Sequence, residues 1–339
     1  MPKLSVVMSV YNSSTFLEET MQSVLSQTYK DFEFLIVNDA STDNSQDILS
    51  KVHDPRIRII TNPNNMGLAR SLNIGIRASQ GIYIARIDGD DIMAPTRLEK
   101  QVRFLDEHHD ICLVGSSSMF MDMVSGITRP YRLPTDHVTI FYHFLTGRNA
   151  LGHPFVMYRK EAVVEAGLYN EALTCASDYE LWLKMVRKGF KFRNLPEPLT
   201  MYRTHNQQMT YHSNTIQIQN HYNAFFSFTT SVLTPPAKKS ETDAYLNLLI
   251  QKMTRPTLEK LKPAYVIFKS LLSILDDKHM RAQIYFLFFK EYIRPCILHS
   301  RPVDAFRAIR NEFKDAFSFW RRLGLLRKYI SRWLRDKNN

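Results

Sequence analysis

Short apolar runs alternate along the first half of the chain with stretches in which apolar positions recur every three or four residues. Leu4–Val10 is a continuous apolar run, the pattern of a strand buried on both faces. Phe16, Leu17, Met21, Val24 and Leu25 then repeat at helical spacing behind Asn12-Ser13-Ser14-Thr15, which supply cap candidates. Residues 32–37 form a second predicted strand, followed by a polar turn and a short helix near 45–52; residues 57–60 form a third strand. A helix over Leu68–Ala78 leads to a strand at 83–87, which stops at Asp88-Gly89-Asp90-Asp91 ahead of a helix opened by Pro95. Later, 155–158 reads as a strand and 179–186 as a helical run. Such alternation predicts an α/β fold with a mostly parallel sheet flanked by helices.

After about residue 215 the pattern changes. Glycine becomes sparse, aromatic and basic residues accumulate, and helical spacing dominates, so the expected division is a catalytic domain at 1–215 and a helical, basic region at 216–339. The net charge of +11 follows the same boundary: residues 1–219 hold 22 Lys and Arg against 23 Asp and Glu, whereas 220–339 hold 22 against 10. An anionic partner is therefore expected at the C-terminal third. Three scattered cysteines give neither a disulfide framework nor a C-x-x-C zinc pair, which fits a reducing cytosolic compartment. The first apolar run is too short for a signal sequence, and no run of about 18 apolar residues marks a membrane span.

In open α/β sheets, ligands bind outside the carboxyl ends of the strands. Three polar clusters fall at those ends, Tyr11-Asn12, Asp39 and Asp88-Gly89-Asp90-Asp91, and their coincidence points to one shared site. Carboxylates on a tight turn offer hard oxygen ligands for a divalent ion that keeps positions open for phosphate oxygens. A solvated acidic turn is the plainer reading of that motif alone. Likewise Asp39 can serve as a turn or helix cap, and Asp43 is expected to be such a cap.

Taken together, these segments resemble glycosyltransferase family 2 over roughly the first 210 residues. The resemblance is carried by Ser5-Val6-Val7-Met8-Ser9-Val10-Tyr11-Asn12, by Val37-Asn38-Asp39-Ala40-Ser41-Thr42-Asp43, by the stretch from Asn62 through Asn65 and Gly67 to Arg70, by Asp88–Asp91, by Asp178-Tyr179-Glu180-Leu181-Trp182 and by Tyr202-Arg203-Thr204-His205. It implies a GT-A fold with a helical C-terminal extension, and an inverting transfer of sugar from a nucleoside diphosphate to a glycan hydroxyl. It further implies that Tyr11, Asn12, Asp39, Asn65, Arg70, Asp88, Gly89 and Arg203 surround the nucleotide. Asp90 and His205 would hold Mn2+ or Mg2+, and Asp178 would be the base, able to cap the following helix as well. Tyr11 and Asp39 favour uridine, with guanosine and thymidine left open. Where the family often has Glu-Asp, this chain has Ser177-Asp178; Glu180 is the substitute base. His153 is a weaker candidate for the acceptor side.

From Phe313 onward, apolar residues including Trp320, Ile330 and Trp333 recur at helical spacing, with Arg321, Arg322, Lys328, Arg332 and Arg335 largely off that stripe. Such a helix suits an anionic membrane surface, with docking onto the catalytic domain or a homodimer contact as the alternatives. No base-stacking motif supports nucleic acid. The expected protein is a peripheral enzyme at the inner face of the cell membrane, extending a glycan or lipid-linked glycan in capsule or lipopolysaccharide synthesis. A catalytically silent, membrane-associated nucleotide-sugar-binding subunit is the alternative, favoured by Ser177. The missing G-x-G-x-x-G argues against a dinucleotide-dependent oxidoreductase, and the absence of a glycine-rich loop after the first strand against a nucleotidyltransferase.

Overall fold

The computed structural model describes residues 1–206, 208, 214–232, 267–272, 275, 277–288 and 291. The chain divides into two compact units, Met1–Phe144 with Arg148–Phe228, and Leu145–Gly147 with Thr229–Asn339. The basic helical stripe expected from Phe313 lies outside the described residues.

In the first unit, four strands appear as their apolar runs require: β1 (Leu4–Val10), β2 (Phe32–Asn38), β3 (Ile57–Thr61) and β4 (Tyr83–Asp88). They lie in the order β3-β2-β1-β4 and all pair parallel, so the ends of β1, β2 and β4 open on one edge. Every residue of β2 is buried, and only Ser9 of β1 is partly exposed, as expected of inner strands covered on both faces. Helices α1 (Leu17–Leu25), α2 (Ser45–Ser50) and α3 (Leu68–Ala78) connect these strands. Helix α3 lies so close to the sheet that a Cβ on Gly75 would fall 2.6 Å from Val7 Cγ1. Glycine is needed there by contact alone.

The remaining strands make the sheet mixed. They are β5 (Ile92–Met93), β6 (Ile111–Asp122), β7 (Thr128–Tyr131), β8 (Met157–Arg159) and β9 (Lys191–Thr204). The sheet continues from β4 through β8, β6 and β9 to β5, with β7 paired to β6. Strand β8 is antiparallel to both neighbours, while β6 and β9 are parallel. Helices α4 (Arg97–Glu107), α5 (His137–Leu145), α6 (Lys160–Glu165), α7 (Ser177–Arg187) and α8 (Asn214–Val232) follow in chain order. Tyr179 stacks on His221 at 3.6 Å and the Asn220 amide donates to Cys175 O, which fastens the first part of α8 to this unit. Within the second unit, Phe268 stacks at 3.9 Å on Phe288 of α9 (Lys278–Phe288).

Two sequence expectations shift. The helix expected at Pro95 starts at Arg97 with Thr96 at its N-cap. The strand expected at 155–158 becomes a 3-10 turn, His153–Phe155, followed by β8. Pro154 has no N–H to give a ladder, and the Phe155 amide turns back to Gly152 O at 2.9 Å.

That turn matters because β4 and β8 pair over three positions only, Tyr83–Ala85 with Met157–Arg159, and then separate. Arg97, fully buried, fills the split. Its Nη2 donates to Arg86 O at 2.8 Å and Val156 O at 3.2 Å, and its Nη1 to Pro154 O at 2.8 Å and Thr200 Oγ1 at 3.1 Å. Its Nε donates to Gln101 Oε1 at 3.1 Å. Burial lowers its pKa to about 9, and the nearby Asp91 opposes that shift. Arg97→Met should therefore strip partners from four strand and turn acceptors and destabilise the unit by about 3–5 kcal/mol. Urea unfolding would measure it; a loss below about 1 kcal/mol would refute this account of the joint.

Candidate functional site

The carboxyl-end edge of the parallel strands opens into a cavity of 740 Å³ whose lining includes Tyr11, Asn12, Asp39, Asn65, Asp88, Gly89, Asp90, Asp178 and His205. At its first rim, the loop after β1 is fastened to the loop after β2. Asn12 adopts a left-handed backbone, φ 51°, and its Oδ1 accepts from Thr42 N at 2.8 Å and Asp43 N at 3.3 Å. Asp43 accepts from Ser14 N and Ser45 N, both at 2.9 Å, and so brackets the start of α2 as expected of a cap. Tyr11 stands half-exposed above this brace.

Asp39 is buried and already well partnered. Its Oδ1 accepts from Met66 N at 2.8 Å and the Asn62 amide at 2.7 Å, and its Oδ2 from Gly67 N at 2.8 Å. The carboxylate thus holds the loop leading into α3, where Gly67 sits at φ +86° and Asn65 Oδ1 reaches the same Gly67 N–H. The cap expected of Asp39 at its own turn is not made, since Ser41 N donates to Asn38 Oδ1 and Ser45 N to Asp43 Oδ1; Asp39 braces the 62–67 loop and lines the cavity. Arg70 is turned elsewhere, 3.7 Å from Glu171, and does not line the cavity.

At the end of β4 the chain makes the acidic turn. Asp88, Asp90 and Asp91 can each present an oxygen within 4.8 Å of the others. Burial pushes the Asp91 carboxyl well above its usual range and the charges of Asp90 and Asp88 add to the effect. Its Oδ1 accepts from Arg203 N at 3.1 Å, whereas its buried Oδ2 has no partner among the described residues. Burial also raises Asp88; the Arg86 guanidinium in contact with it pulls the other way, and Asp90 raises it further. Crowded carboxylates with an orphaned buried oxygen fit a hard divalent cation, Mn2+ or Mg2+. His205 Nε2 lies 3.0 Å from Asp90 Oδ2, and its Nδ1 has no partner among the described residues, so an imidazole nitrogen stands beside the same set.

Arg203 lies beneath the turn. Its backbone holds Asp91, its Nη1 donates to Asp90 O at 3.0 Å, and its Nη2 contacts Glu19. The guanidinium sits 5.0 Å over the Phe16 ring and does not line the cavity. Arg203 therefore braces the acidic turn in this structure.

Across the cavity, α7 begins at Ser177 with Ala176 in the left-handed region, φ 59°. Asp178 lies inside the first turn of α7, and its expected capping role is taken by no side chain. Instead the Asn149 amide donates to Asp178 Oδ2 at 2.8 Å. Glu180 pairs with Lys184 at 3.1 Å and does not line the cavity. His153 does line it, with Nε2 2.8 Å from the Tyr169 hydroxyl; burial and then Arg86 hold its pKa well below the usual range.

Sequence reasoning overlooked Arg86 and Asn149. Arg86 is buried in β4, touches Asp88, and leaves Nε and Nη1 without partners among the described residues. Its signal was a charged residue inside the apolar run Ile84-Ala85-Arg86-Ile87. Nothing local marked Asn149, whose value depends on a residue 29 positions away.

The family model described as "Glycosyl transferase family 2" matches residues 5–170. EpsE of Bacillus subtilis is 36% identical over 228 residues, covering 65% of this chain and 79% of EpsE. The UDP-Glc:alpha-D-GlcNAc-diphosphoundecaprenol beta-1,3-glucosyltransferase WfaP of Escherichia coli is 30% identical, over 60% of this chain and 78% of WfaP. Among solved structures, S. aureus TarS 1-349 in complex with UDP-GlcNAc superposes with a TM-score of 0.56 at 17% identity, covering 95% of this chain and 92% of TarS 1-349. At that identity the match is one of fold, and it is the GT-A-like fold.

The first rim also carries a pH-dependent share of stability. Burial alone would raise the Asp43 carboxyl, but hydrogen bonds from Ser45 and Ser14 outweigh it and bring the pKa down to about 2. A carboxyl depressed by folding stabilises the protein above its unfolded pKa, and that stability disappears as pH falls through the folded value. Asp43→Asn should therefore lose on the order of 1–2 kcal/mol at pH 7, with the difference from the unsubstituted protein vanishing as pH falls from about 4 to 2. Urea unfolding at several pH values would read this; a pH-independent difference would contradict it.

Proposed function

Because the chain belongs to glycosyl transferase family 2, we propose that it transfers a sugar from a nucleoside diphosphate donor, with uridine the expected base, to a glycan hydroxyl. The observation that carries the reading is the single cavity shared by the Tyr11–Asp39 rim, the acidic turn and Asp178. Tyr11 offers an exposed ring for stacking on the base, while Asp39 and Asn65 shape the loop beside it. Asp88, oriented by Arg86, faces the ribose. Asn12 acts on this region by bracing the loop, and so does Gly89, which lies close to Ser13. Arg203 supports the site from beneath and Arg70 from outside; neither touches the nucleotide in this reading.

Asp90, with His205 and the neighbouring carboxylates, would hold the divalent cation, which neutralises charge on the departing diphosphate. The chain's own residues manage the proton. Asp178, held by Asn149, takes the proton from the acceptor hydroxyl as that oxygen bonds to the anomeric carbon. The bond from that carbon to the diphosphate oxygen breaks on the opposite side, so the configuration inverts and the nucleoside diphosphate leaves. One displacement requires no covalent nucleophile.

The acceptor we propose is a glycan or lipid-linked glycan of surface-polysaccharide synthesis, in keeping with the diphosphoundecaprenol named for WfaP. No described helix is long and apolar enough to cross a membrane. We place the enzyme at the cytoplasmic face as a peripheral protein, with residues 216–339 as the membrane-surface or dimerising region.

Incubation with Mn2+ and UDP-, GDP-, dTDP- and CMP-sugars should give metal-dependent nucleotide release from one donor, abolished by Asp90→Asn. Nucleotide binding absent by calorimetry for the whole panel would overturn the reading. Asp178→Asn should lower kcat by about 10²–10⁴-fold while leaving nucleotide affinity within roughly twofold. A matching loss of affinity would make Asp178 a binding group.

A further inference from the structure

Strand β7 is the one strand among those described in which every residue is exposed. It pairs with the far end of β6, Phe120 opposite Arg129 and Met121 opposite Thr128, while β9 pairs with the other side of β6 as far as Asp122, so that only the turn after Met123 continues beyond the ladder. Its turn is tightly built. The Asp122 carboxylate accepts from Val124 N at 2.9 Å and Ser125 Oγ at 2.8 Å, Asp122 N donates to Ile127 O at 3.0 Å, and Gly126 takes φ +71°. This well-ordered turn holds large apolar side chains out in water: Met123 is 40% exposed, Val124 83% and Ile127 63%. Arg129 stands two residues behind Ile127 and Arg132 lies at the base of the hairpin beyond Tyr131, both exposed; Asp122, engaged by the turn, is the one acidic side chain between 122 and 135.

We propose that the tip of the β6–β7 hairpin dips into an anionic lipid surface, with Val124 and Ile127 entering the acyl boundary and Arg129 and Arg132 meeting lipid phosphates. Three apolar side chains form too small a patch for a stable protein interface, which buries upward of about 1,200 Å² in total. Lipid imposes no such minimum, and a tip that combines apolar residues with arginines behind them matches the layering of a membrane interface. At the base of the same hairpin, Tyr131 stacks on Phe120 at 4.4 Å, and Phe120 lies 5.0 Å from Tyr202. All three rings line the cavity. An aromatic row thus runs from the lipid-facing tip to the site, and sugars carried on a membrane lipid would pass along it. That last step rests on the proposed transfer reaction, whereas the lipid contact does not.

The test is co-sedimentation of the full-length protein with vesicles of phosphatidylcholine and phosphatidylglycerol, beside hydrolysis of a UDP-sugar in vesicle-free buffer. The doubly substituted Val124→Asp, Ile127→Asp protein should bind vesicles roughly tenfold or more weakly, because two buried apolar side chains are lost and two anions added. Its hydrolysis rate and thermal midpoint should be unchanged. Arg129→Gln with Arg132→Gln should weaken binding to these vesicles and leave binding to pure phosphatidylcholine as it was. Val124→Trp should show a blue-shifted emission that brominated lipids quench. Wild-type protein that ignores the vesicles, or a double aspartate variant that binds them as well as wild type, would overturn the proposal. So would a Val124→Trp protein whose added emission brominated lipids leave unquenched, or variants that change the oligomeric state and not vesicle binding. Absent donor hydrolysis in the wild type would count against the transfer reaction alone.

Discussion

The guanidinium of Arg97 is the joint on which the catalytic unit depends. A sheet whose two halves meet through three antiparallel pairs and the bond from Arg86 N to Val156 O would separate beyond them, leaving the carbonyls of Arg86 and Pro154 facing a gap. An unsatisfied carbonyl in a dry interior costs about 1–3 kcal/mol, and a buried cation in its turn needs acceptors around it. One planar cation with five donors meets both needs, as no apolar side chain of similar volume could. Arg97 fills the split, and Arg86 and Pro154, whose carbonyls it holds, line the cavity beside it.

Two further arginines repeat this arrangement around the acidic turn. Arg86 lies beside Asp88 from within β4, and Arg203 holds Asp90 and Asp91 from β9. Three carboxylates on four successive residues repel one another, and burial adds to the difficulty of keeping them charged. The Arg86 charge offsets part of that repulsion, while Arg203, its guanidinium paired with Glu19, contributes hydrogen bonds to Asp90 O and from its backbone N–H to Asp91. The turn is thus held by the fold while Asp88 and Asp90 remain on the cavity wall.

Much of this was legible in the sequence, for a definable reason. Strand ends are written in local pattern, so Tyr11, Asp39 and the 88–91 turn could be assigned to one edge before any coordinates were known. Helix α3 matches its predicted limits because apolar spacing and its flanking turns agreed. Side-chain partners across long separations were not legible. Arg203 meets Asp90 and Glu19 over 113 and 184 positions, and no local pattern distinguishes that from an arginine facing solvent or phosphate. Arg70 is committed to Glu171 by the same kind of distant packing. The position of Asp178 was recoverable while its geometry was not: the helix starts two residues earlier than the cap reading needs, and the carboxylate is held by Asn149.

The overlap of structural and cavity-facing roles limits how substitutions at this edge can be interpreted. Asp39 accepts from three donors of the 62–67 loop, so removing its carboxylate takes one acceptor from the buried Asn62 amide and releases the part-buried Met66 and Gly67 N–H groups, as well as altering the cavity wall. Asn12 is likewise a brace whose left-handed backbone few residues tolerate. A loss of affinity at either position mixes loop disorder with a lost contact. Asp178 differs: one carboxylate oxygen is engaged by one amide, the helix continues without a cap bond from it, and Asp178→Asn keeps the shape while replacing an acceptor by a donor. Among the carboxylates around the cavity, it is the one whose substitution reports on chemistry with the least contribution from folding.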